Sequence, residues 1–245
     1  MAKGRSCGLV FVGLFLALGL GGLLSGCGPR PTPTPALSPQ EIAQRAAQAM
    51  LEVQFLHFRI ERSGAIAYLD PAYKTMVFRR AEGDFQRPDR MRVLVRIATP
   101  EGFTLDVGAI ALGDEQYATN PLSGDWEQIP PEWGFNPAHL FDPEVGIERL
   151  MEEGLRDLTL AGVEKVEGVS AYHLAGRATG ERVVLLTQGL IGLGGDVEVE
   201  VWVGSQDFLI RRVRIVEPAT DPQDPTVWEI TFSRLGEPVE IEPPI

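Results

Sequence analysis

The segment Asp196-Val197-Glu198-Val199-Glu200-Val201-Trp202-Val203 sets an apolar side chain at every second position, with acidic residues between the first three. Successive side chains of an extended chain point to opposite faces of a sheet, so this period of two marks a strand with one apolar and one wet face. The same pattern recurs on either side. Leu56, Phe58 and Ile60 alternate with His57, Arg59 and Glu61, and Met91, Val93, Val95 and Ile97 alternate with Arg92, Leu94 and Arg96. Leu105, Val107 and Ala109 alternate with Asp106 and Gly108, and Leu209, Val213 and Ile215 share a face opposite Arg212 and Arg214. Arg87-Pro88-Asp89, Pro100-Glu101-Gly102, Gly113-Asp114, Glu167-Gly168 and Gly204-Ser205 separate the runs with turn chemistry. Short links between alternating strands predict an antiparallel meander.

Helical spacing is confined to short stretches. Ser38-Pro39-Gln40-Glu41 combines an N-cap, a proline in the first turn and a capping-box acid, and Ile42, Ala46 and Met50 follow at helical intervals towards Glu52. Asp142-Pro143-Glu144 opens a second short helix with Ile147, Leu150 and Met151 as its apolar stripe. Val183-Val184-Leu185-Leu186 is a third apolar stretch and runs into a glycine-rich loop, Leu190 to Gly195. The expected fold is therefore α+β, mainly β: a single curved antiparallel sheet with a few helices over its apolar face. Such a sheet with an incomplete helical cover leaves an apolar hollow, unless side chains fill it.

The N-terminus predicts where the chain resides. Lys3 and Arg5 precede an almost uncharged run from Cys7 to Leu24, and Leu24-Ser25-Gly26-Cys27 follows. A basic start, an apolar centre and small residues before a cut site compose a secretory signal, here residues 1–26. Leu-Ser-Gly-Cys resembles the lipobox of bacterial lipoproteins, which implies diacylglycerol on the Cys27 thiol and anchorage to the outer face of a membrane. Two or three acyl chains, at about 0.8 kcal/mol per buried CH₂, hold a protein there without a spanning helix. An uncleaved membrane helix is the competing reading of the same run. Residues 27–37 carry Pro29 to Ala36, in which proline alternates with threonine as a semi-rigid spacer. Residues 38–245 are the expected folded domain. With Cys7 removed, Cys27 is the only cysteine left, so no internal disulfide forms.

Removing Lys3 and Arg5 with the leader takes the 22 basic residues to 20 against 34 acidic ones, a formal charge of −14. Phosphate backbones and anionic membrane surfaces repel such a chain, which argues against nucleic acid as a partner.

The order of several stretches resembles the LppX/LprA/LprF/LprG lipoprotein family, within the wider group of LolA- and LolB-like lipoprotein carriers. Ala81-Glu82-Gly83-Asp84-Phe85 with Pro88-Asp89-Arg90-Met91 is similar to the family's turn between its second and third strands. Tyr117 to Trp126 is similar to its hairpin ending in tryptophan, and Phe141 to Gly146 to the opening of its covering helix. Val163 to Val169 with Tyr172-His173-Leu174 is similar to the hairpin that follows, and Val201-Trp202-Val203 and Gly236-Glu237-Pro238-Val239 to the late strands and C-terminal edge. The resemblance implies an open half-barrel of about ten strands with helices over the concave face. It also implies a hydrophobic cavity for lipid or glycolipid acyl chains, with envelope transport proteins as further partners.

On that reading the cavity wall consists of the apolar strand faces, chiefly Phe58, Val93, Val95, Leu105, Val107, Val199 and Val201. Leu150 and Leu186 close the helical side. Leu190, Ile191 and Leu193 form a mobile mouth, because glycines flank exposed apolar residues there. Each position equally suits plain core packing. A second reading keeps the fold and fills the cavity with side chains, leaving a sensor or scaffold that binds another envelope protein.

Catalytic patterns were sought as well. The three histidines, His57, His139 and His173, share no metal-ligand spacing, and the chain has no Gly-x-Ser-x-Gly elbow. Gly192-Leu193-Gly194-Gly195 lacks the Lys-Ser/Thr of a phosphate loop. The expectation is a binding protein, with no cofactor, metal or enzymatic activity.

Overall fold

The computed structural model describes residues 37–69, 74–99, 101–131, 139–140, 142, 144–192 and 194–244. The leader, Cys27, the Pro/Thr spacer, Phe141, Pro143 and Leu193 lie outside them.

Ser38 starts the first helix, α1 (Pro39–Leu51), as the sequence predicts. Its hydroxyl accepts from the Glu41 backbone N–H, and the Glu41 carboxylate accepts from the Ser38 N–H at 2.8 Å. The bond from the Ser38 N–H first, and second the Ser38 hydroxyl donating to the same carboxylate at 2.8 Å, hold the Glu41 carboxyl below its ordinary range. Strands β1 (Phe55–Ser63), β2 (Val77–Gln86), β3 (Arg90–Ala98), β4 (Thr104–Leu112), β5 (Glu115–Thr119) and β6 (Trp126–Ile129) follow. A single helical turn, α2 (Ile147–Arg149), widens into a π-turn through Gly154. Then come β7 (Arg156–Val166), β8 (Val169–Ala178), α3 (Gly180–Thr187), β9 (Val197–Gly204), β10 (Ile210–Glu217) and β11 (Thr226–Ser233).

The strands make one 11-stranded sheet in the order β6-β5-β4-β3-β2-β1-β11-β10-β9-β8-β7. Every pairing is antiparallel, and the sheet is not closed into a barrel. Two meanders, β1–β6 and β7–β11, are therefore joined in the middle where β11 returns to pair with β1. The expected mainly-β half-barrel is the observed one, with 11 strands where about ten were expected.

The two faces separate as the period of two requires. Ile42, Ala46, Met50, Leu56, Phe58, Val93, Leu174, Val199, Val201 and Trp228 join α1 and the concave face in one buried cluster. The convex face carries a charged lattice. Arg96 and Asp106 face each other across β3 and β4, which holds the Asp106 carboxyl below its ordinary range. His57 lies between Asp84 (2.9 Å) and Glu82 (3.3 Å). His173 lies between Glu164 and Glu200, both at 2.8 Å, and stacks on Trp202 with ring centres 4.4 Å apart. These two histidines thus serve the outer surface of the sheet.

One pattern differs from expectation. A bulge between Ile210 and Arg212 resets β10, so that Ile210 rather than Leu209 pairs with Val203 on the concave side. Ile210 is fully buried, and Leu209 packs on the core from the preceding turn.

Candidate functional site

The register builds one continuous apolar line across the concave face. Val107, Val95, Ala81, Ile60, Ile230, Val213, Val201, Leu174 and Leu160 are successive partners through nine strands, from β4 to β7. Side chains directly opposite one another on neighbouring strands are about 4.5–5.5 Å apart at Cβ. The line is thus a contiguous oily surface without a charge in it.

Coverage of that surface is uneven. Val201 and Leu174 are buried, whereas Val107, Val95, Ile60, Ile230 and Val213 each remain half-buried in the middle of the face. The expected wall residues divide accordingly. Phe58, Val93, Val199 and Val201 are packed in the core, and Val95, Leu105 and Val107 keep solvent exposure. Leu150 is half-buried against the cluster, and Leu186 is buried on α3. All of them that lie on strands share the concave face.

One end of the concave face is plugged. The end where β2 turns into β3 and β9 into β10 is crossed by α1, whose Ile42, Ala43, Ala46, Ala47 and Met50 are at most 1% exposed. The Arg87 guanidinium, on the β2–β3 turn, donates to the carbonyls of Met50 and Val53, both at 2.9 Å. It also pairs at 2.5 Å with Glu148 on α2. Arg45 of α1 sits over the Phe208 ring on the β9–β10 turn, 5.1 Å from its centre. Helix, both turns and α2 are therefore strapped together at this end. Glu148 is buried, and its Oε2 has no hydrogen bond among the described residues.

The opposite end holds α3 and the glycine-rich loop. There the structure departs from the expected exposed mouth. Leu190 is half-buried, and Ile191 is buried in the main cluster rather than exposed; Leu193 lies outside the described residues. The cause is a set of polar ties. The Ile191 N–H donates to the Thr187 hydroxyl at 3.0 Å, and the Gly192 N–H donates to Glu217 Oε2 at 2.8 Å. Gly192 has φ +90°, and a Cβ at Gly180 would lie 2.3 Å from the Gly195 carbonyl oxygen, so the loop folds tightly on the start of α3. The other Glu217 oxygen accepts from the Trp228 indole at 2.6 Å. Glu217, Trp228, Arg87 and Glu148 were not among the expected site residues. Glu217 had a signal in the sequence: it is an acid in phase with Val213 and Ile215 on the apolar face of β10.

Two open hollows among the described residues lie elsewhere. One, of about 340 Å³, is bordered on the convex face by Arg80, Glu82, Leu94, Arg96 and Asp106. The other lies beside His57, Asp84 and Arg234. No group of His, Cys, Asp and Glu among the described residues could hold a metal ion. No described helix is long and apolar enough to cross a membrane.

A curved sheet with a helix on its oily face is shared by many proteins, but residues 38–241 also match one family model, that of the LppX_LprAFG lipoproteins. The chain belongs to the LppX_LprAFG lipoprotein family. Among curated proteins none matches it. Of solved structures, LprF from Mycobacterium bovis is similar with a TM-score of 0.66 and 17% identity, over 84% of this chain and 96% of that one. LppX from Mycobacterium tuberculosis is similar with a TM-score of 0.58 and 15% identity, over 83% of this chain and 98% of that one. At such identities the likeness is one of fold. The family assignment makes the chain a lipoprotein, in agreement with Leu24-Ser25-Gly26-Cys27 at its start.

Proposed function

We propose that this LppX_LprAFG lipoprotein, held at the outer face of a cell membrane through acylated Cys27, binds lipid or glycolipid acyl chains along its concave face and carries or presents them within the envelope. The observation that supports this most is the set of partly exposed apolar side chains Val107, Val95, Ile60, Ile230 and Val213 along the middle of the concave face. A core residue gains by complete burial. An apolar side chain left half-covered at the centre of a sheet gains when a guest covers it, at about 25 cal/mol per Å² of apolar surface removed from water. Contacts of this kind need no charged partner, and the line has none. Envelope transport proteins are the partners that deliver or receive the lipid.

The test is titration of a fluorescent fatty acid into the mature chain. Saturable uptake near one or a few sites per chain, lowered by Val95→Trp and Val107→Trp, is the expected result. No uptake, together with pull-down of a defined envelope protein, would replace the carrier with a scaffold of the same fold.

A further inference from the structure

The described residues include ten large apolar side chains exposed to solvent, and their placement is lopsided. Ile66, Leu69 and Met76 lie in the β1–β2 connection, Phe103 in the β3–β4 turn, Leu122 in the β5–β6 turn and Leu185 on α3. The antiparallel order puts all four connections at the same end of the strands, the end opposite α1. Phe103, at the base of its turn opposite Thr99, is 69% exposed, and Leu122, at the tip of its turn, is 93% exposed. The turns at the plugged end instead present Asp114, Glu167, Gln206 and Asp207. Burial explains none of the six. They are spread over four connections with polar residues between them, so they form prongs rather than one flat patch.

We infer that this rim docks on the surface of a neutral phospholipid bilayer, so that the end of the concave face opposite α1 meets the lipid phase. The inference rests on the proposed carrier function. Three observations choose the occupant. Separate prongs fit a fluid surface that closes around each of them, whereas a protein partner is matched by a continuous core patch. Exposed carboxylates on the connections at this end (Glu101, Asp125, Glu181, Asp196, Asp221 and Asp224) outnumber the exposed cations there (Lys74 and Arg182), which disfavours anionic lipid. The rim also continues into the concave face: Phe103 stands two residues before Leu105, which is half-buried there.

The experiment uses the mature chain with Cys27→Ser, so that no acyl anchor contributes, and flotation with phosphatidylcholine vesicles. The parent should float with these vesicles, and less well when phosphatidylglycerol is added. Phe103→Asp with Leu122→Asp should lower partitioning by at least about tenfold, equivalent to about 1.4 kcal/mol, with an unchanged melting temperature and unchanged uptake of a fluorescent fatty acid. Leu94→Asp, an exposed apolar site on the convex face, should leave flotation unchanged. A parent that does not float, or a double variant that floats as well as the parent, overturns the inference. Rim-dependent flotation without fatty-acid uptake supports the docking surface and removes the carrier reading instead.

Discussion

The indole of Trp228 donates to Oε1 of Glu217 while the N–H of Gly192 donates to Oε2 of the same carboxylate, so one buried acid ties the glycine-rich loop to the middle of the sheet. Trp228 is fully buried on β11, with its ring centre 5.1 Å from that of Phe78. The loop is therefore held at a fixed point of the wall rather than left free at the edge.

Removing that tie should loosen the loop more than the sheet. Glu217→Ala leaves the Trp228 indole and the Gly192 amide without their acceptor, at a cost of about 2–3 kcal/mol for buried groups. Hydrogen exchange at Gly192 should accelerate by about tenfold or more, while amides of β1, β10 and β11 slow or hasten only with global stability. Equal protection of Gly192 in the variant and the parent would refute the latch.

The strap at the plugged end should show strong coupling. Arg87→Met leaves Glu148 buried without its cation and removes the donors to the Met50 and Val53 carbonyls, so thermal or urea unfolding should report a loss of about 3–5 kcal/mol. Arg87→Met with Glu148→Leu should recover part of that loss, because the stranded charge is gone. A double variant no more stable than Arg87→Met alone contradicts this account of the pair.

Bulk introduced on the concave face should separate the open positions from the packed ones. Val95→Trp and Val107→Trp enter half-exposed space and should change the melting temperature little while lowering acyl-chain uptake. Val201→Trp enters the core and should destabilise by about 1–3 kcal/mol. Calorimetry and uptake measured on the same samples decide the matter, and equal destabilisation at all three sites would mean that no space is open.

Asp84 predicts a pH dependence. Burial works against its carboxylate, but hydrogen bonds from His57 and Arg92 and the Arg234 charge outweigh this and hold its pKa below the ordinary value. A carboxyl whose folded pKa is depressed contributes stability above the unfolded pKa and loses it as pH falls through the folded one. Asp84→Asn should therefore cost about 0.5–1 kcal/mol at neutral pH, after allowance for solvent screening of its exposed partners. That difference should shrink as pH falls below the ordinary carboxylate range and vanish once the folded carboxyl is protonated as well. Urea unfolding of both proteins across this range measures it.

The period of two was legible wherever a strand ran without interruption, as at β3, β4 and β9. β11 is equally regular, with Trp228, Ile230 and Phe232 alternating against Val227, Glu229 and Thr231, although it is absent from the alternating segments first identified. β2 was hidden for a physical reason. Its register shifts between Phe78 and Arg80, so adjacent Val77 and Phe78 are both buried and the alternation breaks. The family resemblance assigned Ala81 to Phe85 to the turn between the second and third strands, whereas they lie within β2. The plug was not readable, because Arg87 and Glu148 are 61 residues apart and meet only after folding. Nor did the pattern tell Val95 from Val93. Both face the same side, and only the placement of the helices decides which is covered.

The central claim is that the half-covered line from Val107 to Val213 is completed by an acyl chain. The most direct measurement is mass spectrometry of the mature chain purified from its own envelope, with its extracted lipid. The account predicts a non-covalent acyl lipid at roughly one or a few molecules per chain, depleted by Val95→Trp with Val107→Trp. A chain free of such lipid, with variants indistinguishable from the parent, would contradict it.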